Sequence, residues 1–279
     1  MAFSTISTLA AHVQYLQDKA RPAATTDENA QTPGDAPPET RGHEVALVGI
    51  ACRFPDADSP DAFWQNLADG VESVRELSTT ELLAAGVAEE TFSRDDYVRC
   101  VARLDNLYDF DAERFGLSRK EVSVMDPQHR LFLEGAVHAL EDAAHDPERD
   151  SPKVGVYGGC WRDPAGDYQA LLPAVSSTDL AEQLLRETGN DKDYMPSRVA
   201  FLLGLTGPAV AVQTSCSTGL SCIAAACSAI TTQQCDLALA GASSICFGEK
   251  GTSVGYLHYE GMPFSADGRC RAFDSRASG

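Results

Sequence analysis

The sequence lacks any uninterrupted run of eighteen apolar residues, which argues against a membrane-spanning helix. Its first twenty residues lack the positively charged start and the small-residue cleavage site of a secretory signal. It contains no CxxC pair, and no histidine lies near the cysteines of residues 216–227 with the spacing of a zinc site. We therefore expect a cytoplasmic protein that has neither a membrane partner nor a bound metal.

Basic residues are scarce, since 22 lysines and arginines stand against 41 aspartates and glutamates and the formal net charge is −19. Residues 1–41 carry only about −2 of this charge, so the acidity belongs to the rest of the chain. A surface of this kind repels phosphate backbones, and we expect no nucleic-acid partner. An acidic protein partner would need a local basic patch on which to dock.

The nine cysteines are an odd number, and four of them (Cys52, Cys222, Cys227 and Cys246) lie inside apolar runs. This pattern favours reduced and buried thiols over a disulfide framework.

The chain of 279 residues is 43% hydrophobic, which is enough to bury a core. Residues 3–19 could form a short helix with Leu9, Val13 and Leu16 on one face. Such a helix would be either a frayed terminus or a docking segment for an upstream protein. Residues 21–41 are rich in proline, alanine, threonine and acids, which predicts a flexible linker. We therefore predict a helix and linker over 1–41 and a folded domain over 42–279.

Strands alternate with helices in the predicted folded domain. One helix is expected to begin at Ser59-Pro60 and to end at Gly70. Another is expected to begin at Asp126-Pro127 and to have an apolar face that extends to Ala144, and Ser118 and Glu121 have the spacing of a capping box. The predicted strands are "EVALVGIAC" (44–52), "KVGVYGG" (153–159) entering a glycine turn, "PAVAVQT" (208–214) as an edge strand, and "CDLALAGAS" (235–243). This order favours an α/β layered fold with a mainly parallel sheet.

The stretch "VQTSCSTGLSCIAAACSAI" (212–230) joins a predicted strand to a predicted helix at Cys216. A thiol at the start of a helix has its thiolate stabilised by the helix dipole, and the free N–H groups there can hold an oxyanion. Thr214, Ser215, Ser217 and Thr218 are small enough to leave the sulfur accessible. The alternative is that Cys216 is one more small buried residue. The helix over 217–230 has no charge and only small side chains on most positions, which predicts burial on all sides.

Five segments in order carry a resemblance to a known family: "VALVGIACRFPDADSPDAFWQNLADG", "FGLSRKEVSVMDPQHRLFLEGAVHALEDA", "SRVAFLLGLTGPAVAVQTSCSTGLSCIAAACSAI", "CDLALAGAS" and "GMPFSADGRCRAFDSRASG". Over residues 44–279 the chain resembles the ketosynthase domains of modular polyketide synthases. The resemblance implies a thiolase-like layered αβαβα fold, of which this chain would hold the N-terminal half. It also implies a homodimer.

The resemblance assigns Cys216 as the nucleophile that takes an acyl chain from the phosphopantetheine arm of an acyl carrier protein. Decarboxylative Claisen condensation with a malonyl-type extender would follow. The resemblance also implies substrate-binding roles for Thr214, Ser215, Ser217, Met262 and Phe264, and no bound cofactor. The implied partners are the carrier protein, a second copy of the chain, a C-terminal ketosynthase half or downstream synthase domains, and an upstream synthase subunit bound through residues 1–20.

The chain departs from the family pattern in three places. Gln213-Thr214-Ser215 stands where Asp-Thr-Ala is usual, Thr218-Gly219 where serines are common, and Ala266 where proline precedes Asp-Gly-Arg. None of the six histidines fits the two histidine motifs that the family uses in its second half, and we assign all six to structure or solvent. Two alternatives remain open: a fatty-acid or starter-unit condensing enzyme, and a non-catalytic module that dimerises or docks carrier proteins.

Overall fold

A computed structural model describes residues 44–147, 149, 152–161, 168–176, 178–247 and 254–278, together with the backbone of two short strands near the N-terminus. The strands are β1 (Thr5–Ser7), β2 (Val13–Tyr15), β3 (Val45–Leu47), β4 (Arg75–Glu76), β5 (Tyr97–Val98), β6 (Cys100–Val101), β7 (Val154–Cys160), β8 (Ala209–Ala211), β9 (Leu237–Ser244) and β10 (Tyr256–Leu257). The helices are α1 (Pro60–Asp69), α2 (Thr79–Ala84), α3 (Glu89–Phe92), α4 (Arg119–Val124), α5 (Pro127–Asp142), α6 (Tyr168–Leu171), α7 (Leu180–Asn190), α8 (Tyr194–Leu202) and α9 (Thr218–Thr231).

The main sheet has the strand order β1-β9-β7-β8. Strand β7 pairs in parallel with both β8 and β9, and β1 pairs antiparallel with β9. All seven residues of β7 are buried, as expected for the centre of a sheet covered on both faces. The predicted mainly parallel sheet and the edge position of β8 are therefore confirmed.

Helices cover the two faces of this sheet. On one face, α5 and α8 contribute Phe132, Leu133, Met195 and Val199 to a core that also contains Val156 of β7. On the other face, α9 contributes Cys222, Ala226 and Ile230, which pack against Ala238 and Ala240 of β9. The result is a helix–sheet–helix arrangement in which α9 lies directly on β7 and β9.

The helix boundaries follow the predicted caps. Ser59 accepts a hydrogen bond from the Ala62 N–H at the start of α1, and Gly70 ends that helix with a φ of 68°. Ser118 and Glu121 form the predicted capping box at α4. Asp126 accepts a hydrogen bond from the Gln128 N–H at the start of α5. Local sequence signals are therefore sufficient to predict the helix boundaries at these positions.

Several predicted elements need correction. Strand β7 runs straight through its glycines to Cys160, so "GG" is not a turn. A Cβ at Gly158 would lie 2.6 Å from the Phe132 ring, and these glycines are needed because helices pack closely on the strand. The strand predicted over 44–52 is confined to Val45–Leu47 and is only partly buried. Ala144, predicted on the apolar face of α5, follows the end of that helix with a φ of 53°.

The helix predicted over 3–19 falls mostly on residues outside the described part. The two segments of it that are described, β1 and β2, are extended and pair with β9 and β3 rather than forming a helix. The linker predicted over 21–41 lies wholly outside the described residues.

A smaller cluster lies beside the main sheet. Leu77, Leu82, Phe92 and Val101 form its core, and β10 pairs with β5 to bring residues 254–278 onto it. Gly268 lies against Cys100, and Arg269 forms an ion pair with Glu72 at 3.1 Å. No helix in the described part of the chain is long and apolar enough to cross a membrane.

Candidate functional site

Cys216 lies in the connection between β8 and α9, as the sequence predicted. It occupies the middle of a single 3₁₀ turn, Ser215–Ser217, and is exposed. Ser215 has a φ of 58°, which is unfavourable for a residue with a side chain. Backbone strain of this kind is maintained only where the surrounding structure enforces it, and it is concentrated at functional sites.

Hydroxyl groups hold the turn together. The Ser217 hydroxyl lies 2.8 Å from the Thr214 carbonyl oxygen and 3.0 Å from the Thr214 hydroxyl, which in turn donates to the Ser221 hydroxyl at 2.9 Å. The Ser215 hydroxyl lies 3.9 Å from the sulfur of Cys216. Of the predicted substrate-binding residues, Ser215 therefore has its hydroxyl beside the thiol. Thr214 and Ser217 brace the turn that carries the thiol.

The end of β7 approaches the turn closely at Gly159. A Cβ built at this position would clash with the Val212 carbonyl oxygen and lie 2.5 Å from Cγ2 of Thr218. A glycine is therefore required for the turn to rest on the strand. The sequence pattern had suggested that this glycine forms a turn. The contact between Gly159 and Val212 could not be predicted from local spacing, because these residues are 53 positions apart.

Helix α9 is buried on one side only. Thr218, Cys222, Ala226, Ala229 and Ile230 are buried, whereas Leu220 is 75% exposed. Ala224 and Ser228 are exposed on the same side as Leu220. The predicted burial on all sides is therefore wrong for this chain.

The nine cysteines are all thiols, but they differ in environment. Burial raises the pKa of the Cys222 thiol to about 11. Of the four cysteines expected to be buried, Cys222 is buried, whereas Cys52, Cys227 and Cys246 are partly exposed. Cys216 and Cys270 are exposed.

Gln128 is a residue that sequence reasoning passed over. Its buried side-chain amide donates to the Trp161 carbonyl oxygen at 3.0 Å and accepts from the Ile245 N–H at 3.1 Å. It therefore joins the start of α5 to the chain leaving β7 and to the chain leaving β9. The available signal was a polar residue in the first turn of a helix that has a long apolar face.

A cavity of about 270 Å³ opens at the carboxyl end of β7, the same strand end on which the Cys216 turn rests. Its lining is mostly polar and consists of Asp126, Cys160, Trp161, Gln169, Asn190, Asp191, Lys192 and Asp193. Among the described residues, no group of three or more His, Cys, Asp or Glu side chains is arranged to hold a metal.

Met262 and Phe264 belong to the smaller cluster rather than to the β8–α9 connection. The Phe264 ring lies 5.6 Å from that of Tyr256 on β10, and Met262 is 47% exposed. Their predicted substrate-binding role remains a prediction. His129 is buried in α5, and burial together with the nearby Arg198 charge lowers its pKa to about 3. His258 donates its backbone N–H to the Asp96 carbonyl oxygen, also in the smaller cluster.

Residues 42–279 match the family model described as Beta-ketoacyl synthase, N-terminal domain. The chain belongs to the beta-ketoacyl synthase family. A phenolphthiocerol/phthiocerol polyketide synthase protein of Mycobacterium tuberculosis is 42% identical over 245 residues, which cover 84% of this chain and 16% of that protein. Polyketide synthase PksN of Bacillus subtilis is 33% identical over 241 residues, which cover 84% of this chain and 4% of that protein.

Solved ketosynthases share the fold. Ketosynthase twelve from the bacillaene polyketide synthase of Bacillus amyloliquefaciens matches with a TM-score of 0.74 and 35% identity, over 83% of this chain and 40% of that one. The resemblance to modular polyketide synthase ketosynthases and the thiolase-like α/β fold are thereby confirmed. The chain spans under half of that ketosynthase and less than a fifth of the two curated relatives.

Proposed function

We propose that this chain is the part of a polyketide-synthase ketosynthase that carries the nucleophile, Cys216. The observation that supports this most directly is an exposed thiol on a strained turn at the start of α9, with the Ser215 hydroxyl beside it. Membership of the beta-ketoacyl synthase family supports a condensing transferase. The substrate class is an acyl thioester carried on the phosphopantetheine arm of an acyl carrier protein, and no cofactor is bound.

In the first step, the Cys216 thiolate attacks the thioester carbonyl carbon. A new carbon–sulfur bond forms to Cys216, the bond to the pantetheine sulfur breaks, and the proton lost by Cys216 is returned to the leaving thiol. In the described part of the chain, no group accepts a hydrogen bond from the Cys216 backbone N–H. This donor is therefore available for the oxyanion that develops on the substrate oxygen.

In the second step, a malonyl-type extender loses carbon dioxide and the resulting enolate carbon attacks the carbonyl of the Cys216 thioester. The carbon–carbon bond forms and the Cys216 thiolate leaves. The family uses two histidines here, and none of the six in this chain matches their motifs. His129 is unsuited to such a role because it is buried and its pKa is lowered to about 3. We propose that a C-terminal ketosynthase half supplies both groups.

Acyl loading tests the proposal. The purified chain is incubated with acetyl-pantetheine, and acetylation is located by peptide mass. We expect the acetyl group on Cys216 and none on the Cys216→Ala variant. Cys270→Ala is the matched control because Cys270 is also an exposed thiol, and this variant should load like the wild type. Equal loading of Cys216→Ala would show that another residue is the nucleophile, and no loading of the wild type would favour a non-catalytic docking module instead.

A further inference from the structure

We infer that Gln213 is a positioning residue whose side-chain amide continues the β7–β8 ladder beyond the end of β8 and so anchors the turn that carries Cys216. The inference deepens the proposed function and rests on it, because positioning matters only if Cys216 is the acyl acceptor. The family usually has aspartate here, and the role of a glutamine at this position follows from the geometry of this chain.

The backbone of β7 shows why a substitute is needed. In a parallel ladder, the N–H and C=O of every second residue point to the same neighbouring strand. The Val156 N–H donates to the Pro208 carbonyl oxygen at 2.7 Å, and the Val212 N–H donates to the Gly158 carbonyl oxygen at 2.9 Å. By this alternation, the N–H and C=O of Cys160 also face the β8 side, where β8 has already ended.

Gln213 lies where the next ladder partner would be. With its side-chain nitrogen oriented toward Cys160, the amide donates to the Cys160 carbonyl oxygen at 3.1 Å, and its oxygen accepts from the Cys160 N–H at 3.2 Å. The backbone has meanwhile turned away, since the Thr214 N–H donates to the Thr218 hydroxyl at 3.0 Å. One side chain therefore replaces two backbone hydrogen bonds at the point where the strand becomes the turn.

The consequence concerns Cys216, three residues further along the chain. Without the amide, the connection between Val212 and the turn would be held mainly by the hydroxyl network around Thr214. A glutamine suits this task because only an amide side chain both donates and accepts in this planar arrangement. A glutamate in its ionised form can accept from the Cys160 N–H but has no proton to donate to the Cys160 carbonyl oxygen.

The test compares Gln213→Met, which has a similar length and no amide, with Gln213→Glu and the wild type. Three quantities are measured: the rate of Cys216 acetylation at saturating acetyl-pantetheine, hydrogen exchange of the Cys160 amide by NMR, and the rate of Cys216 alkylation by iodoacetamide. We expect Gln213→Met to acetylate about fivefold more slowly with an unchanged half-saturating concentration, and its Cys160 amide to exchange about tenfold faster. Alkylation by iodoacetamide, which needs an exposed thiolate but no bound acetyl-pantetheine, should change less than about twofold.

Gln234→Met is the control because Gln234 is exposed and, among the described residues, its side-chain amide donates only to the Thr232 hydroxyl. It should match the wild type in all three measurements. If Gln213→Met is folded and retains the wild-type acetylation rate and Cys160 exchange, the inference is wrong. If it does not fold, Gln213→Glu decides: slower acetylation at unchanged half-saturation supports the inference, and a wild-type rate overturns it. If the wild type is not acetylated at all, the proposed function fails. Hydrogen exchange of the Cys160 amide would still show whether Gln213 anchors the turn.

Discussion

The Thr218 hydroxyl accepts a hydrogen bond from the Thr214 backbone N–H at 3.0 Å and donates one to the Ser215 carbonyl oxygen at 2.8 Å. Thr218 is buried at the first position of α9, so these two bonds fasten the start of the helix to both residues that precede Cys216. Hydrogen bonds made by a buried side chain are costly to remove, since the groups left behind lose their partner without regaining water.

We therefore expect Thr218→Val to lower the free energy of unfolding by about 1–3 kcal/mol and to slow acyl loading of Cys216. Thr218→Ser, which keeps the hydroxyl, should retain most of the loading rate. Thr231→Val is the control because, within the described part of the chain, the Thr231 hydroxyl bonds only to the Ser228 carbonyl oxygen of the same helix. Chemical denaturation and loading kinetics provide the measurements, and equal effects of the two valine substitutions would contradict the assigned role of Thr218.

Gly159→Ala should destabilise the protein by about 1–3 kcal/mol, because the added methyl group would overlap the Val212 carbonyl and meet Thr218. Gly219→Ala serves as the comparison. A Cβ there would lie 3.9 Å from that of Ala242, in ordinary contact, and alanine favours the helix by about 0.5–1 kcal/mol. Thermal or urea unfolding should therefore move in opposite directions for the two variants. A stable Gly159→Ala protein would show that the turn does not rest on β7 as described.

Stability should fall as the pH is lowered below about 6.5 because of His129. Both ring nitrogens of His129 lack a hydrogen-bond partner among the described residues, and burial lowers its pKa from 6.5 to about 3. The folded state therefore excludes a proton that the unfolded state takes up below pH 6.5. Linkage predicts a loss of about 1.4 kcal/mol per pH unit below that value, or about 2 kcal/mol between pH 7 and pH 5.

His129→Gln removes this titration, so its free energy of unfolding should vary less between pH 7 and pH 5 than that of the wild type. His138→Gln changes an exposed residue of the same helix and should retain the wild-type dependence. Urea unfolding at a series of pH values measures the difference. If the free energy of unfolding varies with pH in the same way for His129→Gln and the wild type, His129 does not contribute to the pH dependence of stability.

Cysteine alkylation should follow exposure. In native protein near neutral pH, iodoacetamide should label Cys216 at least about tenfold faster than Cys222, whose thiol is buried and has its pKa raised to about 11. Cys270 should also react because it is exposed. Peptide mass after short exposure gives the order. Labelling of Cys222 or Cys100 before Cys216 in folded protein would argue against the accessible thiol described here.

Association through the edge of the sheet is a further expectation. Strand β8 ends the main sheet, and Val210 on it is 41% exposed. If two copies pair through this edge, Val210→Asp should shift the protein toward monomer in sedimentation equilibrium, because the pairing would bury two carboxylates. Val71→Asp, which changes an exposed valine after α1, should leave the oligomeric state unchanged. An unchanged oligomeric state in Val210→Asp would locate any interface elsewhere.

The sequence by itself determined the features that depend on near neighbours. Ser59, Gly70 and the Ser118–Glu121 pair predicted helix boundaries correctly, since caps act within one turn. The position of Cys216 between a strand and a helix also followed from neighbouring residues, and the order of five motifs indicated the family.

Tertiary structure decided what depends on residues distant in the chain. Gly159 meets Val212, Gln213 meets Cys160, and Phe264 lies against Tyr256, because contacts between elements depend on how the sheet and helices pack. The exposed side of α9 was decided in the same way, since small uncharged residues permit burial on every side but cannot supply the neighbour that would cover them.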